Sequence, residues 1–392
     1  MNETYEFHEI ANMFPMMAVD EFEQLKQDIE THGLIEPIVL FENKILDGRN
    51  RFLACGEAGV KPHYEYYKGD EPVSYVVSKN LHRRHLNETQ RGVVAEKIAD
   101  MKGGERTDLI PIGTKFSMDD AAKKMNVGRT TVARVRKVKQ EAPELMPKLE
   151  SGEMSAYQAV KKIEHKKLQE AKKQEVIKLE DNRPTIEYCD AVEWILEQNE
   201  CDLLITDPPY KTDVDNIWEF SRDWLPYALD MVKDTGRAYI CIGPYPVELA
   251  AYLSIKPPEH LILENILVWT YRNTIGPSPT YDYKNNWQAI LYYRGVNAPP
   301  LNCPVMIEQF TVQDISAPDG RQGDRFHKWQ KPDELARRLI SHSTKEGDLV
   351  LDPFAGTGTF LIAASKMGRI AKGCDLSKEM LDIAKDRGCK VA

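Results

Sequence analysis

The chain has 392 residues, 42% hydrophobic and 29% charged, with a net charge of −9. That length exceeds one ordinary domain, and that composition excludes a disordered or fibrous chain. No apolar run approaches the roughly 20 residues needed to cross a bilayer, and the acidic residues 1–6 lack the apolar core of a signal peptide. Seven cysteines are scattered singly, with no Cys-x-x-Cys pair. They read as free thiols of a cytoplasmic chain rather than as a disulfide framework or a zinc site, and no metal is expected. The net charge does not advertise nucleic acid, but its distribution does. Residues 121–180 hold 15 Lys/Arg against 8 Asp/Glu, a net of +7 that leaves −16 for the rest. A local basic segment in an acidic chain is a candidate phosphate-contacting surface, and its later part also reads as a solvated helical linker.

In chain order, residues 19–32 carry Phe22, Leu25 and Ile29 at helical spacing, and Gly33 is placed to stop the helix. Residues 37–41 and 44–48 read as strands around a polar turn, and a helix follows over 52–58. The turn between strand and helix is Asp47-Gly48-Arg49-Asn50-Arg51. Arginines beside a helix start have the chemistry to hold a phosphate. This box resembles the Gly-x-x-Arg box of the ParB/sulfiredoxin-like superfamily, and Lys79-Asn80-Leu81-His82-Arg83 is similar to its second box. The resemblance implies an α+β domain over residues 1–104. It offers Gly48, Arg49, Arg51, Asn80 and Arg83 to a phosphate or nucleotide, with a purely structural turn as the alternative. Lys79 stands where that superfamily has an acid, so hydrolysis is not implied. His82 and His85 lie at i, i+3 spacing without further ligands and read as surface residues.

A helix is expected from residue 86, with Val93, Val94 and Ile98 on one face, and residues 103–114 read as a loop. Ser117-Met118-Asp119-Asp120 has the form of a capping box, Asn126-Val127-Gly128 is a turn, and residues 129–139 form a second helix packed through Val132, Val135 and Val138. This is a helix-turn-helix pattern over 105–165. Arg129, Thr130, Thr131 and Arg134 have the chemistry to meet phosphates and base edges in a major groove. A helical hairpin with a polar face is the alternative. A helix near 156–163 leads into a Lys/Gln/Glu-rich helical connector over 166–184.

From residue 185 the chain alternates strands and helices, the pattern of a largely parallel α/β sheet. Residues 191–198 form a helix. The run Leu203-Leu204-Ile205 is a buried strand that stops at Thr206-Asp207-Pro208-Pro209-Tyr210, because proline cannot donate to a sheet ladder. In open α/β sheets, ligands sit at such carboxyl ends. An exocyclic base amine is a poor nucleophile, since its lone pair is delocalised into the ring. Asp207 and the carbonyl of Pro208 can each accept one of its N–H groups from a fixed position, as preorganised stabilisation requires. Pro209 keeps the turn stiff, and Tyr210 can stack on a base drawn out of a duplex. Residues 211–216 read as a polar lid. A helix is expected over 220–232, kinked or delayed by Pro226. Strands follow at 238–242, 266–271 and 288–293, then a Pro/Gly/polar stretch over 295–326.

Residues 349–359, Leu-Val-Leu-Asp-Pro-Phe-Ala-Gly-Thr-Gly-Thr, read strand, glycine turn, helix start. Glycines let backbone pass close to a ligand. A helix over 359–367 and a strand over 370–374 then lead to Asp375, about 20 residues beyond the turn, which suits ribose hydroxyls. No Lys-Ser/Thr follows the glycines, so this is not a phosphate-binding P-loop.

Asp-Pro-Pro-Tyr followed, late in the chain, by Asp-Pro-Phe-Ala-Gly-Thr-Gly-Thr resembles the β class of amino-group DNA methyltransferases. His327-Lys328-Trp329-Gln330-Lys331-Pro332 and Glu187-Tyr188-Cys189-Asp190-Ala191 resemble two further segments of that class. The resemblance covers residues 185–392 and implies a Rossmann-like, circularly ordered S-adenosylmethionine methyltransferase fold. It implies S-adenosyl-L-methionine held by Asp352, Phe354, Gly356, Gly358, Thr359 and Asp375, with Asp190, Gln330 and Lys331 from the flanking segments. Asp207, Pro208, Pro209 and Tyr210 are then catalytic. The implied substrate is double-stranded DNA, with adenine N6 preferred because the motif starts with Asp, and cytosine N4 left open. The stretch over 295–326 matches the class's target-recognition region but is short, so the N-terminal half is expected to supply DNA affinity. The architecture fits a bacterial or phage-encoded restriction-modification setting and is compatible with a homodimer. A DNA-binding regulatory protein with an idle methylase domain, and an RNA methylase, are the rival readings.

Overall fold

The computed structural model describes residues 5–17, 19–81, 86–100, 116–273, 279–320 and 325–392. Arg83, His82, His85 and the loop expected over 103–114 fall outside them. The chain divides into two compact units, Met1–Glu164 and His165–Ala392.

In the first unit, α1 (Val19–His32) buries Ile29 against Ala54 and Cys55 of α2 (Arg49–Ala58). Gly33, at φ 75°, ends α1, and its N–H donates to the Ile29 carbonyl. Strands β1 (Ile38–Phe41) and β2 (Lys44–Asp47) pair antiparallel through Glu42 and Asn43, both at positive φ, the geometry that matches strand twist in a tight hairpin. Strand β3 (Tyr64–Tyr66) adds parallel to β1, giving the order β2-β1-β3. Neither β3 nor α3 (Pro72–Leu81) was expected from periodicity.

Next come α4 (Glu88–Asp100), α5 (Met118–Lys124) and α6 (Arg129–Glu141). Ser117 caps α5 as its sequence suggests, its Oγ accepting from the Asp120 N–H at 3.1 Å. One apolar cluster joins Leu46, Val76, Val94 and Ile98 to Ala121, Met125 and Val132, on both sides of the divide expected at 104/105. Helix α7 (Met146–Glu150) and the start of α8 (Ala156–Ile177) complete the unit, Leu149, Ala156, Ala159 and Ile163 packing with Val135 and Val138 of α6.

The second unit is built on a nine-stranded sheet. Its strands are β4 (Thr185–Tyr188), β5 (Cys201–Thr206), β6 (Val232–Ile242), β7 (Leu261–Thr270), β8 (Trp287–Gly295), β9 (Val312–Asp314), β10 (Leu349–Asp352), β11 (Ile370–Asp375) and β12 (Lys390–Val391). The order is β12-β4-β11-β10-β5-β6-β8-β7-β9. Every pairing is parallel except those of β8 with β6 and β7. The fold is therefore a mixed, mostly parallel α/β sheet, as expected. Six helices flank it: α9 (Ala191–Glu197), α10 (Ile217–Asp230), α11 (Pro246–Leu253), α12 (Asp333–Ser343), α13 (Thr359–Lys366) and α14 (Lys378–Asp386). Two apolar clusters form the core. One includes Leu203, Ile205, Val350 and Phe360, and the other includes Leu204, Ile240, Trp224 and Leu351. The alternation of neighbouring strand residues between clusters is the period of two that buries both faces of a sheet.

Three expectations change here. Helix α10 begins at Ile217 and runs through Pro226, because Asn216 caps it, accepting from the Trp218 and Glu219 N–H groups. Val232, expected to end that helix, instead opens β6. The stretch over 295–326 contains β9, whose Val268–Val312 and Thr270–Asp314 pairings extend the sheet. The connector over 166–184 is less solvated than its composition suggests, since Val176 is buried with Ile186.

Gly92 shows how tightly the first unit is fitted. A Cβ there would stand 2.8 Å from the Thr131 Cγ2 and 3.5 Å from the Val135 Cγ2 where α4 meets α6. Gly92→Ala is expected to destabilise the protein by about 1–3 kcal/mol through overpacking, despite alanine's better helix propensity. Denaturant unfolding followed by circular dichroism measures it.

Candidate active site

Strands β5 and β10 lie side by side, and from them the chain departs in opposite directions. It continues from β5 to β6 on one side and from β10 to β11 on the other. Such a switch point opens a crevice at the carboxyl edge. The parallel strands β4, β11, β10, β5 and β6 all end at that edge, which places Asp190, Asp375, Asp352, Asp207 and Gly243 along it.

The two central strands are tied at their ends. The Thr206 hydroxyl donates to Asp352 Oδ1 at 2.6 Å, and the Phe354 N–H donates to the same oxygen at 3.2 Å. Asp352 is 1% exposed. Burial pushes its carboxyl up to about 8, reinforced by Asp207 and Asp375 and opposed by those two hydrogen bonds. The glycine turn follows directly. Gly356 sits at φ 51° and its N–H donates to Asp375 Oδ2 at 2.7 Å, while the Ser377 N–H donates to Asp375 Oδ1 at 2.8 Å. A Cβ on Gly356 would meet nothing within 4 Å, so this backbone borders open space. On Gly358, at φ 76°, it would crowd Cys389 Sγ at 2.9 Å and Ile186. The first glycine thus leaves room at the edge, and the second permits close packing onto the sheet. Burial also raises the Asp375 carboxyl.

Beside this turn, Asp207 leaves β5. Its Oδ1 accepts the Tyr210 hydroxyl at 2.6 Å, and its Oδ2 accepts a hydrogen bond from the Lys331 ammonium. Lys331 also donates to the Tyr210 hydroxyl at 3.1 Å, and its Nζ lies 5.6 Å from the Tyr210 ring centre and 5.8 Å from that of Trp269. Burial and the neighbouring Asp207 hold the Tyr210 phenol well above its ordinary range. The turn is braced from below by Glu248, which is fully buried and accepts from the Lys211 N–H at 2.9 Å and the Gly243 N–H at 2.6 Å. Among the described residues no group donates to the Pro208 carbonyl, which leaves it as an acceptor beside Asp207.

Several residues singled out in the sequence have side chains that meet other protein groups. Lys331 was placed with the cofactor residues, yet its ammonium meets Asp207 and Tyr210. The Gln330 side chain, 7% exposed, accepts from the Phe326 N–H. The Thr359 hydroxyl accepts from Arg387 at 2.7 Å, and Phe354 packs its ring on Trp224 at 4.9 Å, so both hold the turn through side chains turned into the protein. Asp190 caps α9, accepting from the Val192 N–H at 2.9 Å. In the first unit, Arg51 is engaged by Glu36 and Asp47, Asn80 also bonds Asp47, and Arg49 donates to Asn12 and the Phe14 carbonyl. Those side chains hold the Gly48 turn together rather than presenting free charge to a phosphate. Thr131 is 6% exposed and donates to Glu88 at 2.7 Å, so it faces α4 and not solvent. Arg129 and Thr130 are exposed, and the Arg134 guanidinium lies 5.4 Å from the Tyr157 ring.

Sequence reasoning missed Trp269, Glu248 and Arg387. Arg387, 6% exposed, donates to the Thr357 carbonyl and to both threonine hydroxyls of the turn. Nothing in its local sequence marks it, whereas an acid such as Glu248 inside an otherwise apolar helix was a visible anomaly.

A mostly parallel sheet with a carboxylate, a phenol and an ammonium gathered beside a glycine turn at its switch point has the form of an α/β enzyme. Residues 201–386 match the DNA methylase family of N6 and N4 methyltransferases. The chain is 31% identical over 222 residues to the Type II methyltransferase M.HpaI of Haemophilus parainfluenzae, covering 49% of this chain and 69% of that one. It is 28% identical over 224 residues to the Type II methyltransferase M2.DpnII of Streptococcus pneumoniae, covering 47% and 81%. Among solved structures it is similar to the M1.HpyAVI complex with SAM, at TM-score 0.41 and 22% identity over 52% of this chain and 99% of that one. It is also similar to the cytosine-N4-specific PvuII DNA methyltransferase, at TM-score 0.43 and 16% identity over 52% and 86%. The protein belongs to the DNA methylase family: it is a DNA methyltransferase acting on an exocyclic base amine with S-adenosyl-L-methionine as cofactor.

The protonation of Asp352 has a measurable sign. Its pKa is raised in the folded state, so its contribution to stability is complete below about 4, the ordinary carboxyl value, and is lost as pH rises toward about 8. Asp352→Asn keeps the neutral shape and cannot ionise. The wild type is expected to lose stability relative to this variant between pH 4 and 8, read as a shift in denaturation midpoint; parallel curves would show that the buried carboxyl is already ionised.

Proposed function

We propose that the protein methylates adenine at N6 in double-stranded DNA. The observation that carries this reading is the placement of Asp207, with the Pro208 carbonyl and Tyr210, one strand away from the Gly356 turn. The two sites are tied by the Thr206–Asp352 hydrogen bond. Asp375 has carboxylate lone pairs left for ribose hydroxyls after accepting two N–H groups, and Gly356 borders open space, so these residues fit the adenosine part of the cofactor. Bound S-adenosyl-L-methionine supplies a methyl group activated by its positively charged sulfur.

The rest falls to the chain's own side chains. Asp207 and the Pro208 carbonyl accept the two N–H groups of a base amine and turn its lone pair outward, and the proton that the amine sheds on gaining the methyl group, as the methyl's bond to sulfur breaks, passes to solvent by way of Asp207. The Tyr210 ring supports the extruded base. The Trp269 ring lies 5.8 Å from the Lys331 Nζ, beside this group. Adenine is preferred on the motif's leading Asp, a family association. The geometry alone accommodates either amine, so the nucleoside product is the deciding readout.

Binding to the duplex is assigned in part to the first unit, by its helix-turn-helix order. Its exposed Arg129, 3.6 Å from Asp119, and Thr130 stand at the start of α6, next to an open depression lined by Glu88, Arg91, Lys123 and Gly128. A helix start flanked by basic side chains suits phosphate oxygens.

Incubation with labelled cofactor and unmethylated genomic DNA, followed by digestion to nucleosides, tests the reading. N6-methyladenine is expected, and N4-methylcytosine as the sole product overturns the base assignment. Asp207→Ala is expected to lower methyl transfer by at least about 100-fold with cofactor affinity retained, as calorimetry can show. Arg129→Ala is expected to weaken duplex binding alike on all sequences and to flatten the slope of log affinity against log salt by about 1. An unchanged slope removes Arg129 from the DNA surface.

A further inference from the structure

We propose that the Lys331 ammonium is a displaceable stand-in for the target amine. It occupies the amine's place on Asp207 while the pocket is empty and yields it when the base arrives. This deepens the methyltransferase assignment and rests on it.

Lys331 is 4% exposed, an unusual position for a lysine, and it lies 124 residues from Asp207 in sequence. Its nitrogen makes the contacts that the reaction asks of a base amine. It donates to the Asp207 carboxylate, and it lies within reach of the Tyr210 ring on which the base would stack. The other carboxylate oxygen already accepts the Tyr210 hydroxyl at 2.6 Å, which leaves it one lone pair. An N–H group that approaches Oδ2 competes there with the ammonium. Both are nitrogen donors of similar size, so one substitutes for the other without rebuilding the pocket.

The physical reason for such a device is the cost of a bare carboxylate. The Asp207 side chain is 22% exposed, and without an ammonium its charge would keep, among the described residues, the Tyr210 hydroxyl as its one side-chain donor, which is unfavourable. Lys331 keeps it satisfied in the empty enzyme. The same contact weakens the pull of Asp207 on the amine, because each bond gained from the base replaces one lost from the lysine. A base without an amine at that position leaves the ammonium where it is. The lysine thus sets how strongly the site distinguishes bases that carry the amine from those that do not.

The test compares two duplexes containing a site methylated by the wild type. In one the target is adenine, and in the other it is purine, which lacks the exocyclic amine. Affinity for each is measured for the wild type and Lys331→Met, with cofactor analogue bound. The variant is expected to bind the adenine duplex about tenfold or more tighter, the effect of one charge-assisted hydrogen bond no longer exchanged, and the purine duplex as the wild type does. Equal shifts on both duplexes, or weaker binding of adenine, overturn the proposal. Calorimetric cofactor binding reports whether the variant folds. If it does not, Lys331→Gln, which keeps a neutral donor, is expected to shift the ratio in the same direction by a smaller factor, and an unmoved ratio then refutes the idea. Methyl incorporation by the wild type on the adenine duplex checks the functional assignment separately.

Discussion

The second unit depends on the hydrogen bond between Thr206 and Asp352. Two residues 146 positions apart meet at 2.6 Å because their strands are neighbours at the centre of the sheet. Everything chemical hangs from the next few residues of each strand. After Thr206 come the acid, the prolines and the tyrosine; after Asp352 comes the glycine turn. A shift of either strand by one residue would turn Thr206 and Asp352 to opposite faces and separate the two motifs. Register here is enforced by burial on both faces, since Leu203 and Ile205 enter one apolar cluster and Leu204 the other.

Four carboxyl groups crowd this region: Asp207, Asp352, Asp375 and Glu248. Burial pushes three of them up, most of all Asp352. Their partners differ in kind. Asp352, Asp375 and Glu248 accept from a hydroxyl or from backbone N–H groups, which fixes loops in place. Asp207 accepts instead from an ammonium and a phenol, both on side chains. Three acids therefore hold backbone in place, and the fourth meets side chains.

Much of this was legible in the sequence because the signals were local. Proline stops a strand wherever it falls, so the end of β5 could be placed from Pro208 and Pro209. Glycines between an apolar run and a helix mark a turn, and an acid some 20 residues on follows from the length of one helix and one strand. What could not be read depends on tertiary contacts. Arg387 reaches the glycine turn from the far end of α14, 28 residues from Thr359, and no pattern near Arg387 announces that. Lys331 was noticed within a resembling segment, yet its partner lies in another part of the chain. Val232 reads as the tail of a helix and becomes the start of β6, because it pairs with Cys201 of β5, a partner far away in sequence.

The first unit shows the same limit in polar residues. Thr131 has the chemistry to meet DNA, and so does its neighbour Thr130. A helix turns 100° per residue, so adjacent positions need not meet the same surroundings. Val132 and Val135 set the buried side of α6, and Thr131 falls close enough to it to be claimed by Glu88, while Thr130 and Arg129 stay in solvent. The arginines of the Gly48 turn meet a similar fate. Asp47 and Glu36 stand close enough to Arg51 to neutralise it, and a guanidinium held by two carboxylates has little left to offer an anion. Residue type therefore states what a side chain is able to do, and the competing partners that the fold brings within 3 Å decide whether it remains available. On α6 that reasoning leaves Arg129 and Thr130 as exposed polar groups at the helix start, with the Arg129 guanidinium 3.6 Å from Asp119.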